Sequence, residues 1–178
     1  MISFSNHRWL IVTVVHYITL FFLSQLNYYL APVGIQLIAL GMLISFSAFE
    51  LNFQHGFLSL VPIAFYLDSK MPLPFGFVFI LTISLFTITH VARSRVRREV
   101  NASALITSLA LNLVVFGAYT VGTARYLSLE GLHFGPFALN IFASALVIAI
   151  LNRLFFQVQT GTLAIFGINL AEEQRAAR

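Results

Sequence analysis

The chain has no cysteine, one tryptophan and, in 178 residues, only six acidic side chains. Without cysteine there is no disulfide framework, no thiolate metal site and no cysteine nucleophile, and redox chemistry says nothing about compartment. Charge of either sign is scarce: Asp, Glu, Lys and Arg together make up 9% of the residues. HExxH, GxSxG and paired acidic motifs are also missing, which leaves no recognisable centre for metal-assisted or nucleophilic hydrolysis. There is no internal repeat and no low-complexity tract.

What the chain does have is apolar surface. Apolar residues form 59% of it and mean hydropathy is +0.90, more than a soluble domain can cover. Ten Lys and Arg against six Asp and Glu give a net charge of +4. Most of these cations stand at the ends of apolar segments, a pattern that points to membrane orientation rather than to nucleic acid.

A helix needs roughly 20 apolar residues to cross about 30 Å of hydrocarbon. Six segments approach that length: Trp9 to Leu30, Pro32 to Phe49, Gly56 to Leu67, Leu73 to Val91, Ala102 to Val121 and Phe137 to Phe156. The first is too long for a secretory signal and lacks a small-x-small cleavage site, so it is expected to be a membrane helix. The third is short, about 18 Å of helix, and carries Pro62 in its middle. Extending it back to Leu51 lengthens it but admits Asn52, Gln54 and His55, whose polar groups then need partners. Turns at Ala31-Pro32 and Met71-Pro72-Leu73-Pro74 separate neighbouring segments. The expected fold is therefore a single all-α domain, a bundle of six transmembrane helices with a tail over residues 157–178.

With six crossings and the N-terminus inside, Arg8, Arg93, Arg95, Arg97, Arg98, Arg153, Arg175 and Arg178 fall on the cytoplasmic side. Only Lys70 and Arg125 fall outside. Eight against two is a clear positive-inside bias, and it supports the doubtful third helix independently of hydropathy.

Ionisable groups inside apolar helices mark relays or ligand sites, and they are few here. His16 lies seven residues into the first helix, while Glu50, Asp68 and His90 lie near helix ends. Two histidines invite a bis-His haem, but His90 sits beside the arginine loop at interfacial depth. Glu50, His55 and Asp68 match no zinc or glycosidase spacing, and the topology sets Glu50 and Asp68 a membrane apart. No catalytic residue, cofactor or metal is expected. The run Arg93 to Glu99 could bind a protein partner, anionic lipid head groups or RNA, and lipid anchoring, at about 1 kcal/mol per basic residue, explains it with no extra assumption. The 19 Phe and six Tyr are spread over every helix. Gly34, Gly41 and Ser45, Ala104 and Ser108, and Ala145 and Ala149 have spacings that let helix backbones approach closely in lipid.

The order of these features resembles a family. The first helix is long and the second starts at a proline. Gly56 leads to Asp68 at the end of a short third helix, and Gly76 follows in Pro72-Leu73-Pro74-Phe75-Gly76. A helix then closes on the basic loop Arg93, Arg95, Arg97 and Arg98, before two more helices and a short tail. Over essentially its whole length the chain is similar to MreD, the rod-shape-determining membrane protein family of bacteria. It departs from that family before Asp68, where Pro62, Phe65 and Tyr66 occupy a stretch that usually holds a small residue.

The resemblance implies a fold similar to the substrate-binding subunits of energy-coupling-factor vitamin transporters, used as a non-enzymatic scaffold in the bacterial inner membrane. It also implies partners: an MreC-like coiled-coil protein and other members of the peptidoglycan elongation complex, with membrane lipids around it and no nucleic acid. The alternative is a vitamin-binding transporter subunit itself. Such a subunit usually shows an Ala-x-x-x-Ala stripe on its first helix, and Ile11 to Leu20 has no alanine. It would need polar groups converging near the outer face, where Asp68, Lys70, Arg125, Glu130 and His133 are the candidates.

In the scaffold, Asp68 is expected to accept backbone N–H bonds at the start of the fourth helix. Gly76, one turn into that helix, is expected to admit a neighbouring backbone.

Both termini are expected in the cytoplasm. Topology reporters fused after Arg98 and after Arg178 should both give a cytoplasmic signal, and a periplasmic signal at either point would end the six-crossing scheme.

Overall fold

A chain this apolar must satisfy its own peptide groups, and helix is the conformation that does so within one segment. The computed structural model describes residues 7–93, 102–127, 134–168 and 170, and among them are six α-helices and no strand. They are α1 (Arg8–Leu30), α2 (Leu40–Glu50), α3 (Phe53–Asp68), α4 (Phe77–Ala92), α5 (Ala102–Tyr126) and α6 (Phe134–Ile165). Three stretches, Arg8–Val33, Ser103–Tyr126 and Gly135–Ile165, are long and apolar enough to cross a membrane, while α2 and α4 are shorter apolar helices.

Contacts between elements define an alternating up-and-down bundle. Thr13 and Tyr17 of α1 bond the carbonyls of Ser59 and Pro62 of α3, so those two helices run parallel. Gly41 and Ser45 of α2 meet Asn112 and Ser108 of α5 in reverse order, so these run antiparallel. The α2 helix is the central staff. Every residue from Leu40 to Ala48 is buried, and α2 packs against α3, α4, α5 and α6, most extensively against α5. That crossing is tight because of Gly41, where an added Cβ would sit 2.5 Å from the Asn112 backbone nitrogen and closer still to the Ser108 carbonyl.

The second segment departs most from expectation. It was expected to be helical from Pro32 to Phe49, yet α2 begins only at Leu40. Ala31–Val33 closes as a 3-10 turn, Gly34 ends it at φ +73°, and Ile35 to Ala39 are not helical. An unwound backbone in an apolar bundle needs partners, and three side chains on other helices supply them, with a fourth at the first turn of α2. Asn27 both accepts from Leu37 N at 2.7 Å and donates to Leu37 O at 2.9 Å. Asn140 Oδ1 accepts from Gln36 N at 2.9 Å, Ser144 Oγ from Ile38 N at 3.1 Å and Asn112 Oδ1 from Gly41 N at 3.4 Å. Further in, Ser45, Ser108 and Asn152 form a buried chain of side-chain hydrogen bonds linking α2, α5 and α6.

Smaller corrections have equally local causes. The third helix starts at Phe53 because Asn52 caps it, its Oδ1 accepting from His55 N at 3.0 Å. The fourth starts at Phe77 rather than Leu73, since Met71 to Gly76 form a turn. Gly34 falls outside the second helix, and on α6 Ala149 is exposed, so neither serves a close crossing.

The sixth helix runs on to Ile165, nine residues into the expected tail. Gln159 and Leu163 there are fully buried, and Gly167 (φ +77°) ends the helix. Its N–H bonds Ala164 O at 2.9 Å while Ile168 N bonds Leu163 O at 3.0 Å, a Schellman closure that brings Leu163 and Ile168 into the core.

Outer faces of the bundle are apolar. Phe142, Leu146, Ile150, Leu154 and Val158 line one side of α6, and Leu10, Val14, Ile18, Phe21 and Phe22 line one side of α1. This is a surface for hydrocarbon to solvate.

Replacing Asn27 with Leu removes the partner of both Leu37 groups. Each unsatisfied group costs about 1–3 kcal/mol, so the Asn27→Leu protein should unfold at clearly lower temperature in lipid nanodiscs. An unchanged transition would show that Asn27 does not hold the unwound segment.

Candidate functional site: the clamp between α3 and α4

Asp68 ends α3 and is buried, at 5% exposure. Its Oδ1 accepts from Val78 N at 2.8 Å and its Oδ2 from Phe79 N at 3.0 Å. Both donors lie in the first turn of α4, where backbone N–H groups have no intrahelical partner and the helix dipole favours negative charge. The carboxylate therefore holds the antiparallel pair at a fixed angle, as the sequence indicated. Both of its oxygens are engaged by backbone, so it acts as a structural acceptor.

Gly76 works for a different reason from the one expected. It is the N-cap of α4 at φ +95°, and nothing lies within 4 Å of where a Cβ would stand. Backbone conformation, not close approach, demands glycine there. Close approach belongs to Gly56, whose added Cβ would lie 2.7 Å from both the Phe86 ring and the Ser47 carbonyl. Gly56 thus sets the spacing of α3 against α2 and α4.

Arg93 closes the opposite end. Its Nη1 donates to Ala48 O at 3.1 Å and Leu51 O at 2.8 Å, satisfying carbonyls at the C-terminus of α2. It was expected to face lipid head groups, and the structure instead gives it partners inside the protein. Arg95, Arg97 and Arg98 lie outside the described residues.

Beside Asp68 the clamp exposes an aromatic stack. The ring of Phe65 lies 5.9 Å from Phe75 and 4.8 Å from Phe79, with planes within 22° and 21° of parallel. Phe75 is 74% exposed. Near it Lys70 Nζ stands 6.0 Å over the Tyr66 ring, and Tyr66 meets Tyr17 edge-on.

The other ionisable residues are dispersed. The imidazole of His16 stacks on Phe155 of α6, whereas that of His90 packs against Phe53 and Phe86. Glu50 ends α2, next to the start of α3, and Asp68 ends α3, whose 16 residues span about 24 Å. Among the described residues no three His, Cys, Asp or Glu side chains cluster as a metal set.

Asn27, Asn112, Asn140 and Asn152 were not among the expected site residues. Their signal was available: an amide side chain inside an apolar helix must find a partner in the bundle. Compared with known proteins, the chain matches no family model, no curated protein and no solved structure.

Forcing a side chain into the left-handed region costs about 1–2 kcal/mol, so Gly76→Ala should lower thermal stability. Gly117→Ala, at a helical site with open space around it, should not. Equal behaviour of the two variants would contradict the conformational role of Gly76.

Proposed function

We propose that this chain is a non-enzymatic membrane scaffold of the MreD type, a multi-pass protein of the bacterial inner membrane that helps position peptidoglycan synthesis through helix-surface contacts. The observation that carries this reading is the Asp68 clamp. It spends the buried carboxylate on backbone N–H groups and in doing so holds the Phe65, Phe75 and Phe79 stack rigidly at an exposed helix end. A preorganised aromatic surface suits partner helices, since little side-chain entropy is lost on contact.

Six crossings are consistent with the dimensions of the short elements. The partners of the second segment on α6 advance from Asn140 to Asn152 as the chain advances from Gln36 to Ser45. Twelve residues of helix are about 18 Å, and the remaining turn and a half of α2 adds about 7 Å. The unwound stretch together with α2 thus covers a depth close to the hydrocarbon core, and α3 and α4 reach about 24 Å each. Both termini are then cytoplasmic, with Asp68 and Gly76 at the periplasmic end. On this reading the architecture would be of the kind used by energy-coupling-factor substrate-binding subunits. For a vitamin-binding role, however, Asp68 is already committed to the α4 backbone.

The expected partners are an MreC-like coiled-coil protein and other membrane proteins of the elongation complex. In a rod-shaped host, Asp68→Ala and Phe75→Ser should insert at normal levels, recover less of the coiled-coil partner per unit of membrane protein, and give rounded cells. Unchanged recovery with normal rods would remove the proposed role of this surface.

A further inference from the structure

Among the described residues, Asp, Glu, Lys and Arg side chains on the helices stand at helix ends, with one exception. Arg8 opens α1, Glu50 and Asp68 end α2 and α3, and Arg125 lies in the last turn of α5. Arg153 stands instead in the body of α6, twelve residues before its last residue, Ile165. The apolar stretch of that helix, Gly135–Ile165, has 31 residues and is about 46 Å long, against roughly 30 Å of hydrocarbon. Measured from Gly135, Arg153 falls about 27 Å along the axis, where the hydrocarbon ends. The packing marks nearly the same level: Phe155 and Phe156 meet Phe46, and the next turn of α2 presents Ala48 O and Leu51 O to Arg93.

A helix turns about 100° per residue, so Arg153 and Gln157 project from the side of α6 that carries Phe142, Leu146 and Ile150, opposite the buried Ser144, Ile148 and Phe155. All five outward residues are exposed. Neither the Arg153 guanidinium nor the Gln157 amide has a hydrogen bond or ion pair among the described residues. Their exposed neighbours four residues to either side are small, Ala149 and Gly161, and nothing lies within 4 Å of where a Cβ on Gly161 would stand. The face is thus apolar for three turns and then offers N–H donors. A guanidinium has five such donors and no acceptor, and at the edge of hydrocarbon its long stem lets the charge reach the head-group level, where an anion can answer it.

We propose that Arg153 and Gln157 form a binding site on the outer face of α6 for the head-group phosphate of one anionic phospholipid, whose acyl chains lie along Ile150, Leu146 and Phe142. The dimensions match: from Arg153 to Phe142 is about 16 Å of helix, the depth of one leaflet's share of the hydrocarbon. The guanidinium fork meets two phosphate oxygens, and the Gln157 amide, one turn nearer the head groups, donates to a third. An anionic lipid is selected because it brings no ammonium of its own to compete with Arg153, and α6 carries no acidic residue to repel it. The site requires only that α6 cross the membrane. That the leaflet is the cytoplasmic one rests on the topology proposed above, and the site is separate from the clamp at α3 and α4.

The test is native mass spectrometry of the full-length protein in detergent, titrated with phosphatidylglycerol or with phosphatidylcholine. The wild-type protein should retain phosphatidylglycerol more tightly than phosphatidylcholine. Arg153→Gln should weaken phosphatidylglycerol binding about fivefold, whereas Arg125→Gln, an exposed cation at the other end of the bundle, should leave it unchanged. Millimolar inorganic phosphate should not displace the lipid, since the acyl chains contribute to its binding. Equal retention of the two lipids by the wild-type protein, unchanged binding in Arg153→Gln, an equal loss in Arg125→Gln, or displacement by inorganic phosphate would each overturn the proposal. Because Arg153 holds no other described residue, Arg153→Gln should keep the wild-type thermal transition, and a variant that fails to fold would contradict the site as well. The readout is purified protein with lipid, so failure of the scaffold reading would leave this result standing.

Discussion

An unwound backbone inside an apolar bundle must have every N–H and C=O answered by protein, and the stretch from Ile35 to Ala39 places that demand on the whole molecule. The answers come from two different helices, Asn27 on α1 and Asn140 with Ser144 on α6, while Asn112 on α5 answers Gly41 N in the first turn of α2 that follows. Each is therefore tied to the central segment at a defined height. Side-chain hydrogen bonds between membrane helices are worth only about 0.6 kcal/mol on average. Their larger effect is on register, because a shift of one turn on α1 or α6 would strand a peptide group without a partner. With the heights set, small residues complete the packing: Gly41 admits α5 and Gly56 admits Phe86.

The same logic governs the other interruptions of helix. Among the described residues, several places where the chain leaves helical geometry are met by a specific side chain or a left-handed glycine. Asn52 caps α3, Asp68 caps α4, Arg93 answers the last carbonyls of α2, and Gly167 closes α6. Charged residues are few, and Asp68 and Arg93, which stand out from the sequence, each serve a helix end.

Much of the architecture was legible because it follows from periodicity and length. Five of the six segments were placed where helices occur, and Asp68 was expected to accept the free N–H groups of the fourth helix, which it does. Three features were not legible. The break before Leu40 depends in part on Asn140 and Ser144, more than 100 residues away, and apolar content does not distinguish a buried helix from a buried strand-like stretch. Gly76 was assigned to close packing because its positive φ is a property of the turn it ends, and a turn's conformation is not encoded by spacing. The extension of α6 past Phe156 was hidden by Gln157, Gln159 and Thr160, polar residues that read as tail, although Gln159 is buried.

The most direct test of the central role of the unwound segment is solid-state NMR of the isotope-labelled protein in bilayers, reading backbone carbon shifts from Pro32 to Glu50. Non-helical shifts across Ile35 to Ala39, changing to helical shifts from Leu40 onward, are the expected result. Continuous helical shifts from Pro32 to Phe49 would show that α2 is an ordinary unbroken helix, and that Asn27, Asn140 and Ser144 do not organise the bundle.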